Sequence, residues 1–442
     1  MQSSSFCAAT GCAHHCRLSR ITSTFTFGLV VFLGGAVCSW GQITRAEDLK
    51  LIIQGNAAQA SQSSASPRVF EANPGPWGKL KCAYVFLEAP AHLLESFPLP
   101  STTPRWTFPA ESLPTLPDFF AKAGLSKSLI DTMLSSSRVI KEGKLIHVLP
   151  PPAEVENMSP ETRAAIYTEL AKYPENEYHV DPVLITSGTV EEWYATSKLR
   201  PELITKIKKL SYTRGETTAF SDIPLLLNYA QSDSEARAIF KSCTRTRCLM
   251  VRLLLDKTTN VEQVVNYWTL GIGLRRKDIE PLVQSIIETD GGIEDLGISH
   301  LLPALARKLI YTYPGYELAK HGIMPDCHWT CLNFFNYEPH EYLLDARLAT
   351  SQVLEQFAPV DAPYQYGDIL FFLDNATGDA FHSCVHLADN LVYTKNGRNI
   401  LSPWVIMRLE DVKKIYLYRG TGRVQGFRRK DTMTETASHA SR

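Results

Sequence analysis

Two short stretches of this chain hold side chains able to do chemistry. The first is Pro325-Asp326-Cys327-His328-Trp329-Thr330-Cys331-Leu332-Asn333-Phe334-Phe335, and the second, further on, is Phe381-His382-Ser383-Cys384-Val385-His386-Leu387. A cysteine that follows an Asp at the head of an apolar helical segment has its thiolate stabilised by the partial positive charge of the helix start. On a helical wheel Cys327, Cys331, Phe334 and Phe335 share one face, which should be buried, with Cys327 on the first exposed turn and Glu338-Pro339 ending the helix. The second stretch alternates as a strand, with His382, Cys384 and His386 on one side and Ser383, Val385 and Leu387 on the other. A helix-start Cys facing a strand His is the minimal activated thiol, the sulfur attacking a carbonyl carbon while the imidazole carries the proton.

The elements around them follow from pattern. Tyr366-Gly367-Asp368-Ile369-Leu370-Phe371-Phe372-Leu373 predicts a buried strand, Asp374 to Asp379 a hairpin turn, and Val392-Tyr393-Thr394-Lys395-Asn396-Gly397 a further, more polar strand. This order of Asp-Cys helix, Gly-Asp-Ile-Leu-Phe-Phe strand and His-led strand resembles the NlpC-type papain-like cysteine peptidases, which cleave peptide stems of bacterial cell walls. The resemblance covers residues 315–420. It implies Cys327 as nucleophile, His382 as general base and a polar orienting group on the next strand. Thr394, Lys395 and Asn396 stand there, and Asn396 is the choice because a neutral amide accepts from an imidazole N–H and an ammonium cannot. The Cys327 backbone N–H, helped by Tyr316, would hold the oxyanion, with Asp326, His328 and Trp329 beside the substrate. The chain departs from the family's pattern at His328-Trp329, where Ser-Gly is usual, and at His386, where an aromatic is common.

The same residues admit other uses. Cys327, Cys331, His382, Cys384 and His386 could in principle cage zinc, but sulfur-ligated zinc sites are built on turns and loops, so no metal and no cofactor is expected. Cys331 and Cys384 then fill the core. The resulting expectation is a cysteine hydrolase acting on a peptide or amide bond in peptidoglycan. The alternatives are a non-catalytic binding module of the same fold, or a thiol acyltransferase or amidase on another envelope substrate.

Composition sets the frame. The chain has 442 residues, 44% hydrophobic and 21% charged, with 45 basic against 46 acidic side chains, so no global field would gather nucleic acid. Arg17 and Arg20, the apolar run Phe25 to Cys38 and the small residues after it read as a signal peptide over 1–46. The run is shorter than the ~20 residues of a membrane span, so export to periplasm, envelope or exterior is expected, with no stable span after cleavage. Cys12-Ala13-His14-His15-Cys16 lies in this leader, and residues 47–67, rich in Ala, Gln and Ser, read as a flexible linker. The few cysteines beyond the leader cannot build a disulfide-based fold.

The expected fold class is α+β, a papain-like NlpC-type domain over 313–425 preceded by a mixed, mainly helical domain over 68–312 and followed by a disordered tail over 426–442. Upstream, Lys79 to Glu88 alternates as a strand, Glu142-Gly143 centres a hairpin from Arg138 to Leu149, and Ser159-Pro160 opens a helix. Helical spacing recurs over Thr189–Leu199, Pro201–Leu210, Ile223–Ala230, Ser234–Leu255, Val261–Trp268 and Ile279–Ile287. Cys243 and Cys248 suit either a local disulfide or two unconnected thiols, and Arg245, Arg247 and Arg252 a solvated helix face. His147, His179, His300 and His321 are expected at the surface or at caps, and Val412 to Tyr418 as a last strand.

Overall fold

The continuous apolar run that opens Ile369–Asp374 and the segment Ala380–Ala388 make two strands, β12 and β13, joined by a turn in which the Asp374 carboxylate accepts from the Ala376 and Thr377 backbone N–H groups. The computed structural model describes residues 69–433 apart from 96–97, 272, 321 and 323. The expected leader (1–46), linker (47–67) and end of the tail (434–442), and His321, lie outside the described residues.

β12 and β13 belong to an antiparallel six-stranded sheet. Its order is β11 (Phe357–Val360), β16 (Gly422–Arg429), β12, β13, β14 (Leu391–Lys395) and β15 (Trp404–Arg408). Residues 426–429, expected to begin a disordered tail, complete β16 between β11 and β12. Arg428 explains why a polar strand stays there, since its guanidinium makes two hydrogen bonds of 2.7 Å to the buried Asp368 carboxylate. Gly367 precedes Asp368 at φ +87°, where an added Cβ would meet the Phe335 ring at 2.3 Å.

The expected strand Val412 to Tyr418 is instead the helix Leu409–Tyr416. Leu409, Val412, Ile415 and Tyr416 recur at helical spacing, and Glu410 and Asp411 at its start with Lys413 and Lys414 at its end suit the helix dipole. The two faces of the sheet are thereby covered differently. Phe371, Val385 and Tyr393 pack with Trp329, Cys331 and Phe334 of the Cys327 segment. Leu370, Phe372, Cys384 and Val392 pack with Leu409, Val412 and Tyr416.

Upstream, the secondary structure is mixed. The expected Lys79 strand is β2 (Lys79–Leu87), the Glu142-Gly143 hairpin is β4 (Val139–Glu142) with β5 (Leu145–Val148), and Ser159 caps the helix Pro160–Leu170 by accepting from Thr162 N–H. The expected helix Ser234–Leu255 breaks into the helix Asp233–Cys243 and the strand β9 (Thr246–Leu254), because the β-branched and apolar residues after Thr244 alternate against β2 along its whole length. His147 and His179, expected at the surface or at caps, are buried, His147 between Thr107 and Glu142. One core runs from Leu80, Trp268 and Leu305 through Trp329, Ile369 and Tyr393, so the upstream chain and the six-stranded sheet share it. Trp404 of β15 adds backbone bonds to Tyr311 and Thr312.

Candidate active site

Cys327 begins a helix that spans only Cys327–Leu332, capped by Asp326, whose carboxylate accepts from Trp329 N–H at 2.9 Å. The helix ends at Leu332, before Glu338-Pro339, with Asn333 held by His340 and Asn336. Cys327, Cys331 and Phe334 are buried as the wheel requires. Cys327 itself, expected on an exposed turn, is only 6% exposed. Burial first, and then the Asp326 charge, pushes its thiol up to about 11, while the neighbouring N–H groups of Ser383 and His328 pull it down by less. The expected depressed thiol is therefore not what this site holds at rest, since so short a helix offers a weak dipole against full desolvation.

His382 lies at the start of β13, opposite Phe372 of β12. It is fully buried, stacked on Tyr416 with ring centroids 3.7 Å apart and planes 9° apart. Alternation puts it, with Cys384, on the sheet face toward the Leu409–Tyr416 helix, while the Cys327 helix packs on the other face. There His328 stacks on Phe371 and its Nδ1 meets the Ser383 hydroxyl at 3.0 Å. No hydrogen bond joins the Cys327 sulfur to His382, whose Nδ1 has no partner.

The other imidazole nitrogen is well placed. His382 Nε2 lies 3.2 Å from Thr394 Oγ1, and that hydroxyl also points at the Ser383 carbonyl at 3.4 Å. A hydroxyl has one hydrogen, so if it goes to the carbonyl the oxygen accepts from Nε2–H, and Nδ1 keeps a bare lone pair. Burial, and next the nearby His328, holds His382 well below the usual imidazole range, so it is neutral. Thr394 thus occupies the orienting place expected of Asn396. The Asn396 amide instead donates to Met407 Sδ at 3.2 Å, and its carbonyl oxygen has no partner.

The remaining candidates separate. Trp329 is buried in the shared core against Trp404 rather than lining a substrate site. His328 is tied to Ser383, and Tyr316 opens a five-residue helix that packs with the upstream core containing Ile400 and Leu401. Tyr416 was missed as a contact of His382 because its segment was read as a strand, although the spacing of Leu409, Val412 and Tyr416 carried the helical signal. The six cysteines of the described residues are all free, Cys243 and Cys248 included. Of the three arginines expected on one helix face, Arg245 binds Glu88, Arg252 pairs with Asp295, and Arg247 lies against Tyr84. Among the described residues no group of three or more His, Cys, Asp or Glu converges as a metal site would need, and no helix is long and apolar enough to cross a membrane.

A cleft of about 1410 Å³ runs along the Tyr416 side of the site, lined among others by Tyr84, Trp193, Arg247, Phe381, Asn396 and Tyr416. The chain matches no protein-family model, no curated protein and no solved structure.

Proposed function

We propose that the chain is an exported thiol hydrolase of the papain-like, NlpC type that cleaves a peptide or amide bond, with peptidoglycan stem peptides as its substrate. The observation that carries this is the buried His382, held neutral, whose Nε2 lies 3.2 Å from the Thr394 hydroxyl and whose Nδ1 has no partner. A general base needs the tautomer in which Thr394 accepts from Nε2–H and Nδ1 is bare. Cys327 and His382 start as a neutral thiol and imidazole. In the acylation step the Cys327 S–H proton passes to Nδ1 as the sulfur bonds to the carbonyl carbon. The imidazolium then returns the proton to the leaving amine, and water, deprotonated by the same nitrogen, hydrolyses the thioester. Sulfur and Nδ1 are not hydrogen-bonded at rest and their side chains lie toward opposite faces of the sheet, so this step requires the start of β13 to rearrange against the Cys327 helix when substrate binds. The large cleft beside Tyr416 gives a polymer room.

Cys327→Ala and His382→Ala should each lower hydrolysis of isolated cell-wall fragments by about a hundredfold or more, with release of amines as the readout. A dead Cys331→Ala beside an active Cys327→Ala would move the nucleophile by one helical turn. The second reading, a binding module, is favoured by the burial of both Cys327 and His382. It expects wild type and the double variant Cys327→Ala, His382→Ala to bind wall fragments with equal affinity and wild type to release nothing.

A further inference from the structure

Lys395, the last residue of β14, has no exposed surface. Its Nζ donates to the Gly397 and Asn399 carbonyls, both at 2.9 Å, and among the described residues no carboxylate lies within ion-pair distance of it. Ammonium groups are strongly hydrated, so a buried one without a counter-charge is a cost that calls for a reason. By alternation from Tyr393, which meets Phe334, Lys395 lies on the sheet face that packs against the Cys327 helix. Its cross-strand partner Trp404 ties this corner to the same helix through an indole N–H bond of 3.0 Å to the Thr330 hydroxyl. The acidic groups it faces are Cys327 and Asp326, whose charges favour its protonated form.

We infer that Lys395 is the counter-charge of the Cys327 thiolate: its ammonium, fixed by two carbonyls beneath the helix, stabilises the anion formed when the sulfur gives up its proton. This rests on Cys327 being the reacting thiol. The proton itself goes to His382 Nδ1, and none moves on Lys395. The titratable and charged groups around the sulfur are Asp326, His328 and Cys331 from its own helix, His382 and Cys384 from β13, Lys395 from β14 and Tyr416 from the C-terminal helix. Burial keeps the two imidazoles neutral, whereas Lys395, lowered by desolvation to about 8, stays mostly charged at pH 7, so the positive charge near the sulfur is this ammonium. Lys395 is a positioning residue acting on the thiol through its field, which separates it from the orienting role of Thr394 on the imidazole.

The test is alkylation of Cys327 by iodoacetamide in the full chain, followed at that site by mass spectrometry across pH 6 to 10. Lys395→Met should slow the reaction at pH 7 to 7.5, where Lys395 is mostly charged, about tenfold, while Lys395→Arg keeps it near wild type. A Lys395→Met profile that superimposes on wild type with native circular dichroism retained overturns the inference. So does faster alkylation at every pH with a lowered melting temperature, which marks a purely structural lysine. If Lys395→Met does not fold, Lys395→Gln reads the same rate. A slowed rate in a protein that hydrolyses no wall fragment leaves the counter-charge standing and removes the hydrolase reading. An unchanged rate with intact hydrolysis does the reverse.

Discussion

Thr394 and Asn396 stand two positions apart on one strand and its extension, so alternation alone gives both the same face. What separates them is register. Thr394 lies across from the β13 segment that carries His382 and Cys384, within reach of Nε2, while Asn396 lies past the strand's end and turns toward Met407. Chemical type favoured the amide and position favoured the hydroxyl, and only the pairing of two strands could decide. Thr394→Val should therefore lower the hydrolysis rate about tenfold or more by freeing the imidazole to change tautomer, while Asn396→Ala stays within about threefold of wild type. Rates of both variants on one amide substrate, compared at equal protein stability, check this. The thiol shows the same gap between local rule and surroundings. The Asp-Cys start of the helix was legible, and so was the buried stripe of Cys331 and Phe334, but the extent to which the sheet would desolvate Cys327 was not. With its pKa raised to about 11, the thiol should alkylate slowly at pH 6 and keep gaining rate up to pH 10. A plateau reached by pH 7 would contradict that.

Among elements, those whose signal is local were legible. The hairpin turn at Asp374, the Ser159 cap and the helix Pro201–Leu210 all form where side chains within a few residues dictate them. The misread elements are those whose partner is distant in sequence. β9 looks helical until β2 supplies its ladder, and β16 looks like a polar tail until Asp368 supplies a partner for Arg428. The Asp368–Arg428 pair consequently fixes the last strand in the middle of the sheet, with Asp368 also accepting from Gln365 N–H at 2.7 Å. Removing one partner of a buried pair leaves an uncompensated charge. Asp368→Ala should cost about 3 kcal/mol or more in denaturant-induced unfolding, and a loss below about 1 kcal/mol would show that β16 is held by its other contacts.

At the scale of the whole molecule the upstream chain and the six-stranded sheet bury one another's apolar side chains, with Trp268 against Tyr366 and Tyr267 hydroxyl on the Leu387 carbonyl. A boundary near residue 313 was expected from a change of pattern, but the residues on its two sides share one core, which pattern does not show. Limited proteolysis should therefore yield no stable fragment beginning there. The same burial makes the fold acid-sensitive through its histidines. His179, edge-on to Tyr167 with Nε2 unpartnered, is lowered to about 3 by desolvation, and His328 and His382 are lowered for the same first reason. In the unfolded chain each titrates near 6.5. Below that value the unfolded state takes up protons that the native state refuses, so stability present above pH 6.5 is lost as pH falls, by up to about 2 kcal/mol per histidine at pH 5. Asp181 and Asp222, raised by burial, bind protons in the native state and act in the opposite sense, so the net slope alone would not isolate the histidines. His179→Gln does, because it removes one such proton while leaving both carboxylates. Its unfolding free energy should fall less than that of wild type between pH 7 and pH 5, and parallel profiles for the two proteins would show that His179 is not excluded from protonation in the native fold.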